Sequence, residues 1–358
     1  TRALSSAASD VYKRQEQEFT VDSNHTRVTV DFLDELNEVL IEKRDASDNN
    51  FVSGAVLRLV RVSDNRTIDE WTTDGKAHGV KGLIPGDYKV IEVEAPNGYT
   101  LSNSEVTFNI SGTETEAKTV TFYNSNNQIT ISKVDKDTRE PISGARLRIT
   151  NSSGSVIDTF TTTDSPYTID RLDSGTYYVE ELKAPDGYVP LSNRESFVVD
   201  ENTTNIQVVI ENEKTRLSLG KVDASSGAYV SGARLRLTDS DDREIETFTT
   251  SNAPYVIEGL SYGTYYLEEV EAPSGYIKTD EVVEINFNSS NSSSSVYTIS
   301  NTTGSLTIRK VDSETGEAVS GALLEISDGD KVIETFRTTE SAHTLSNLSE
   351  GTYYVIEL

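Results

Sequence analysis

The feature that most constrains this chain is that it repeats itself. "APNGY" (95–99), "APDGY" (184–188) and "APSGY" (272–276) are spaced by 89 and 88 residues. "VSGA" (52–55), "ISGA" (142–145), "VSGA" (230–233) and "VSGA" (319–322) recur in step with them, and "EKRD" (42–45), "SKVD" (132–135), "GKVD" (220–223) and "RKVD" (309–312) open successive copies. Trp71 fills the slot held by Phe160, Phe248 and Phe336. A unit of about 90 residues can bury a core of its own, so the copies are beads on a string and not turns of a solenoid that needs its neighbours. Within the first copy, short apolar runs punctuated by Gly, Pro, Asn and Asp predict seven strands, at 38–45, 55–62, 67–73, 77–83, 87–94, 105–110 and 118–124. Seven strands at this spacing predict an all-β chain of tandem β-sandwiches.

The expected organisation follows from the repeat. Residues 37–125, 126–214 and 215–302 are complete copies, and 303–358 is the first part of a fourth. "FTVDSNHTRVTVDFLD" (19–34) matches "FVVDENTTNIQVVIEN" (197–212) position by position, so 16–36 reads as the last hairpin of a copy whose beginning is missing. Residues 1–15 match nothing that follows. They resemble translated adapter sequence and read as a non-native or disordered leader. The linkers "NSNNQ" (124–128) and "NEKTR" (212–216) leave little slack and predict a semi-rigid string. "NSSNSSSS" (288–295) reads as a long loop between the last two strands of the third copy.

Composition narrows the function classes. Acidic residues number 59 against 32 basic ones, giving a net charge of −27. Such a chain repels nucleic acid and anionic membrane, so neither is an expected partner. No apolar run approaches the length of a membrane span. With no cysteine, neither disulfides nor thiolate chemistry is available. The absence of methionine, even at position 1, reads as a piece of a longer protein.

Three polar residues interrupt apolar faces at fixed positions. In the first strand Val39 and Ile41 alternate onto Lys43, and the same pattern leads to Lys133, Lys221 and Lys310. In the fifth strand Tyr88 and Val90 lead to Glu92, with Glu181, Glu269 and Glu357 in later copies; in the last strand Val120 and Phe122 lead to Asn124, then Asn212 and Asn301, with Asp34 in the orphan hairpin. Lysine and glutamate are 49, 48, 48 and 47 residues apart, whereas the outward neighbours of the glutamate vary freely: Ile91, Glu180, Glu268, Ile356. An unpaired buried charge costs several kcal/mol. Desolvation lowers a buried lysine's pKa and raises a buried glutamate's. A neutral lysine is a nucleophile, a protonated glutamate can polarise a carboxamide through its oxygen and shuttle protons, and an asparagine side chain is an acyl donor. Together they are the parts for a Lys–Asn amide bond formed once per molecule, with folding supplying proximity.

The frame K-V-D…G-A…E-x-x-A-P-x-G-Y…N resembles the SpaA-type, collagen-adhesin B-type domains of Gram-positive cell-surface proteins and pilins. The resemblance covers nearly everything after residue 18. It implies a prealbumin-like (reverse immunoglobulin-like) seven-stranded sandwich and a spontaneous intramolecular isopeptide bond assisted by the mid-domain glutamate. Residue by residue, the implied sets are Lys43, Glu92 and Asn124; Lys133, Glu181 and Asn212; and Lys221, Glu269 and Asn301. Asp34 matches an acceptor whose partners lie upstream. Lys310 and Glu357 match a pair whose acceptor lies downstream, so the fourth copy as given is expected to form no bond and to be poorly stable alone. "EKRD" departs from the pattern at Arg44, an outward position.

The implied function is a structural stalk segment of a cell-wall-anchored, extracellular adhesin or pilin-like protein. Peptidoglycan would be reached through an anchor, and host matrix or glycan through other parts of the full protein; signal and anchor would both lie outside this stretch. The alternative is that a copy binds matrix protein or glycan directly. A turnover enzyme finds no Ser–His–Asp set, metal cluster or phosphate loop, and neither cofactor nor metal is expected. Each polar triad could also be a buried salt bridge hydrogen-bonded to Asn without a covalent bond. "APxGY" reads mainly as turn chemistry. His25, His78 and His343 read as surface residues at unrelated places in the repeat. "DSDDRE" (239–244) reads as an acidic hairpin tip, lacking the ligand order of a calcium loop.

Overall fold

The computed structural model describes Thr29, residues 37–111 and residues 116–358. The leader and, apart from Thr29, the upstream hairpin with Asp34 lie outside the described residues. The first seven strands are β1 (Glu38–Asp45), β2 (Ser53–Arg61), β3 (Arg66–Asp74), β4 (His78–Lys81), β5 (Gly86–Glu94), β6 (Val106–Ile110) and β7 (Lys118–Asn124). The set recurs as β8 (Gln128–Asp135), β9 (Arg146–Asn151), β10 (Val156–Thr161), β11 (Tyr167–Asp170), β12 (Gly175–Lys183), β13 (Glu195–Val199) and β14 (Asn205–Asn212). It recurs again as β15 (Arg216–Asp223), β16 (Arg234–Asp239), β17 (Glu244–Thr249), β18 (Tyr255–Glu258), β19 (Gly263–Glu271), β20 (Val282–Phe287) and β21 (Val296–Asn301). Five more follow: β22 (Gly304–Ile308), β23 (Leu323–Ser327), β24 (Val332–Arg337), β25 (His343–Leu348) and β26 (Tyr354–Glu357). No element among the described residues is helical. The low-complexity stretch 288–295 is the loop between β20 and β21, and Ser292 within it is fully buried.

Chain packing falls into two compact units. One holds β1–β14 apart from the end residues Asp135 of β8 and Asn212 of β14; the other holds Asp135–Thr138, Ala184–Leu191 and Asn212–Leu358, with β15–β26. Each seven-strand set folds into a three-stranded sheet (order β4-β1-β7) facing a four-stranded one (order β3-β2-β5-β6), with the same orders in the second and third sets. The two-residue period does the sorting. β1 alternates half-buried and buried along its whole length, so Val39 and Ile41 enter a core with Leu57, Leu59, Tyr88, Val90, Ile110 and Phe122. Leu217, Leu219, Leu235, Leu237, Leu267, Ile285 and Ile299 build the third core the same way.

Two details of the topology position the polar residues. The first and last strands of a set pair in parallel: Lys43 lies opposite Phe122 and Asp45 opposite Asn124, while Lys221 lies opposite Ile299 and Asp223 opposite Asn301. Lysine and asparagine are thus two residues apart in register on one face of the three-stranded sheet. The glutamate comes from the facing sheet. A register shift follows it immediately in all three sets, between the pairings of Glu92 and Glu94, Glu181 and Lys183, and Glu269 and Glu271. A bulge there re-aims the strand just after the inward carboxylate.

The edge strands β3 and β4 carry a ring stack. Trp71 lies on His78 with centroids 4.1 Å apart; Phe160 lies on Tyr167, Phe248 on Tyr255 and Phe336 on His343 in the same way. His78 and His343 therefore share one repeat position with Tyr167 and Tyr255, correcting the reading that the histidines fall at unrelated places. The slot is defined by a flat ring, which imidazole and phenol both supply.

The APxGY turns join successive copies. Gly98 has φ +82°, and a Cβ there would sit 2.9 Å from the Cβ of Arg171, itself at φ +58° in the turn after β11. Gly187 stands in the same relation to Gly259, where a Cβ would lie 2.5 Å from the carbonyl oxygen. The glycine is required twice over, by a left-handed backbone and by close approach. Beside it, the buried Asp45 carboxylate accepts hydrogen bonds from the Tyr99 hydroxyl and Arg171 Nη2, both at 2.8 Å, and from the Ser47 amide and hydroxyl. Asp135 likewise accepts from the Tyr188 hydroxyl at 3.1 Å and lies 3.6 Å from Lys214 Nζ.

Burial alone pushes the Asp45 carboxyl up, but the hydrogen bonds from Ser47, Tyr99 and the Asp48 amide outweigh it and hold the group down at about 2. Asp135 is held at about 2 by the same balance of burial against hydrogen bonds, from the Thr138 and Asp137 amides and the Tyr188 hydroxyl. A depressed carboxyl contributes stability that is present above its unfolded pKa of about 4 and lost as pH falls toward the folded value. Thermal unfolding followed from pH 4 to pH 2 is expected to show a steep loss of stability that Asp45→Asn and Asp135→Asn each flatten; variants that lose stability in parallel with the parent would remove these carboxylates from the account.

Candidate functional site

The three inward polar positions of the first set meet in the core. Lys43 is 1% exposed, Asn124 1% and Glu92 8%. Lys43 Nζ contacts Asn124 Oδ1 and lies 3.1 Å from Glu92 Oε1, with neither charged side chain exposed. Asn124 Nδ2 donates to Glu92 Oε1 at 2.8 Å and to the Thr100 carbonyl at 3.3 Å. The second oxygen of Glu92 accepts the Ser102 amide at 2.7 Å. The third set repeats this. Lys221 Nζ contacts Asn301 Oδ1 and lies 3.4 Å from Glu269 Oε1; Asn301 Nδ2 donates to both oxygens of Glu269 at 2.9 Å, and the Thr279 amide donates to Oε2 at 2.9 Å.

In the second set Lys133 Nζ lies 3.4 Å from Glu181 Oε2, both side chains being buried. Asn212 is fully buried at the end of β14, the strand beside β8, and its Nδ2 donates to the Val189 carbonyl at 2.8 Å. In the last set Lys310 Nζ and Glu357 Oε2 meet at 2.6 Å on half-open ground, their side chains 34% and 49% exposed. Distance thus brings the lysine and glutamate together in every set and burial encloses them in the first three, with the asparagine carboxamide joining directly in the first and third. The carboxyl meets that carboxamide on its nitrogen, whereas the sequence reading placed it on the oxygen.

The surroundings tune the amine. Desolvation lowers Lys43 to about 8, and the attraction of Glu92 only partly offsets it. Burial likewise lowers Lys133 and Lys221 against the opposing pull of Glu181 and Glu269. At neutral pH a group at about 8 is neutral in about a tenth of molecules, against fewer than about one in a thousand for an ordinary lysine. The site therefore holds an amine nitrogen, a carboxamide and a carboxylate that contacts both the amine and the carboxamide nitrogen. All three side chains are buried.

Two contributors escape the sequence reading. The amides of Ser102 and Thr279 anchor the glutamates, each 10 residues after its glutamate. Their constant offset is the only signal, because a backbone N–H leaves no mark on residue type. The bulge after the glutamate leaves a faint one, in that the inward–outward alternation fails at Glu94, Lys183 and Glu271, all exposed.

Tandem seven-stranded sandwiches closed by parallel first and last strands around a buried Lys–Glu–Asn cluster define a class of surface-protein repeat. The model of the SpaA prealbumin-like fold domain matches residues 37–126, 127–214, 215–303 and 304–358, and the chain belongs to that family. It is 28% identical over 280 residues, 65% of its length, to serine-aspartate repeat-containing protein D of Staphylococcus aureus strain Newman, of which it covers 21%. It therefore spans about a fifth of the length of that curated relative. Among solved structures it is similar to the Bacillus anthracis TIE protein (23% identity, TM-score 0.44, covering 75% of this chain and 51% of that one). It is also similar to BcpA, the major pilin subunit of Bacillus cereus (14% identity, TM-score 0.36, covering 75% and 100%).

With Asn124→Ala the Lys43 amine loses its carboxamide neighbour. Its side-chain carbon resonances are expected to titrate near 8, well below an ordinary lysine. A midpoint above about 10 would show that the amine is not desolvated.

Proposed function

We propose that this chain is a stalk segment of a Gram-positive cell-surface adhesin or pilin-like protein, whose complete modules are locked by intramolecular Lys–Asn isopeptide bonds. One observation carries the reading: in a buried core, a lysine amine faces an asparagine carboxamide while one carboxylate contacts the nitrogen on either side of the reaction, 3.1 Å from Lys43 Nζ and 2.8 Å from Asn124 Nδ2. Neutral Nζ adds to Cγ. Glu92 takes the proton that the attacking nitrogen must shed and returns it to Nδ2; the Cγ–Nδ2 bond breaks and ammonia departs. The Nζ–Cγ amide remains. The glutamate is regenerated, and no oxidant or co-reactant is consumed. Folding supplies proximity in place of a diffusing substrate, so the chemistry is single-turnover self-modification. Lys133, Glu181 and Asn212 take the same roles in the second module, and Lys221, Glu269 and Asn301 in the third.

The mechanical consequence follows from topology. The bond joins the first and last strands, so a force entering at one terminus of a module and leaving at the other bypasses its interior. The crosslink also restricts the unfolded chain as a disulfide does, without cysteine. In the full protein, contacts with host matrix or glycan and attachment to the cell wall belong to other segments.

Intact mass spectrometry of the denatured chain tests this. Complete reaction in the three modules removes the mass of three ammonia molecules, and Glu181→Ala is expected to restore the mass of one. A chain at its full calculated mass overturns the proposal.

A further inference from the structure

The four residues after each APxG sequence run between two sites. In the first module Tyr99 bonds Asp45, the Thr100 amide donates to the Ser125 carbonyl at 2.9 Å, the Thr100 carbonyl accepts Asn124 Nδ2, and the Ser102 amide holds Glu92. The same strap faces the second module. Thr100 Oγ1 donates to the Thr203 carbonyl at 2.8 Å and the Leu101 amide to the Glu201 carbonyl at 2.6 Å, while Arg171 shares the Asp45 carboxylate with Tyr99. Its ends therefore fix two of the three groups of the crosslinking site, and its outward side is fixed by the next module. The third module shares part of this: the Ile277 amide donates to the Thr302 carbonyl and the Thr279 amide to Glu269, while the contact with the fourth set comes from Gly275, just before the strap, whose amide donates to Ser349 Oγ.

We propose that the strap Tyr99–Ser102 couples the two, so that docking of the second module positions Glu92 and Asn124 for crosslinking in the first. Arg171 is then a positioning residue for a reaction it never touches. A loose strap lets the Ser102 amide and the Thr100 carbonyl drift, and with them the carboxylate and carboxamide that must meet Lys43. The first module's bond is completed by its downstream neighbour. The inference rests on the isopeptide reading: the step affected is Nζ–Cγ formation with Cγ–Nδ2 cleavage and loss of ammonia.

The test is a time course on the full chain made by cell-free translation, quenched in denaturant, digested, and analysed for crosslinked and linear peptides at all three sites. Arg171→Ala combined with Thr100→Val is expected to slow Lys43–Asn124 formation by roughly ten- to a hundredfold, the penalty of small misplacement. Lys133–Asn212 and Lys221–Asn301, formed in the same molecules, are expected to keep their parental rates, which also reports that the second module has folded. Arg171→Lys with Thr100 intact is expected to recover most of the lost rate, since it restores a cation to Asp45. Equal Lys43–Asn124 half-times in variant and parent, or a slowing shared by all three sites, overturns the coupling while leaving the isopeptide reading standing. A parent chain that forms no bond at any site overturns both.

Discussion

A lysine amine, a glutamate carboxylate and an asparagine carboxamide inside an apolar sandwich have to satisfy one another, helped only by nearby backbone groups. Stranding a buried charge or amide costs several kcal/mol, and the fold meets that demand by pairing the first strand with the last in parallel. The register places Lys43 opposite Phe122 and its acceptor two residues further on, which is the nearest neighbour on the same face of the sheet. Parallel neighbours cannot be joined by a tight turn, so the rest of the module is the connection between them. The facing sheet then supplies the one carboxylate that balances the amine. Moving any of the three by one residue would turn its side chain to solvent, which accounts for the nearly constant spacing of these positions while their outward neighbours drift.

The sandwich was legible in the sequence because its cause is a pattern of side chains. The seven strands of the first copy are found within a residue or two of their expected limits, and Val39, Ile41, Tyr88, Val90 and Phe122 point inward as alternation requires. Lys43, Glu92 and Asn124 were legible for the same reason: polar residues on apolar faces declare themselves when the face repeats. What stayed hidden is made by backbone. The Ser102 amide on Glu92, the Glu201 carbonyl under Leu101 and the bulge after each glutamate would look the same with many other residues in place. The histidines were hidden for a different reason. His78 and Tyr167 occupy one slot but share no chemistry beyond a flat ring and a polar edge, His78 on Asp69 and Tyr167 on Asp158.

Glycine in the APxGY motif shows how a correct local reading can be incomplete. A turn explains φ near +82° at Gly98 and Gly187, and for an isolated turn that would be sufficient reason. The backbone of a neighbouring copy stands where a Cβ would go, so the same residue answers two constraints with one atom fewer. The residues that meet it, Arg171, Gly259 and Asn347, are all left-handed themselves, yet they differ in side chain. Contact between two backbones tolerates that variation, and the joint can therefore recur along the chain without a recurring contact residue on its far side.

Arg171 is the exception, and its presence has a physical consequence at one joint. There the buried Asp45 receives a guanidinium from the next copy, where Asp135 instead receives Lys214 from the linker. A guanidinium offers several donors in a fixed plane, so it can serve Asp45 with its Cζ 5.7 Å from the centre of the Tyr99 ring; a lysine offers a point charge on a flexible stem. Both satisfy a carboxylate that would otherwise be buried with the Tyr hydroxyl and turn amides alone. The first joint thus places the compensating charge on the incoming module, and the second places it on the linker. Formation of the first joint consequently depends on the partner module being folded, because only then is Arg171 held in the left-handed turn that aims it at Asp45.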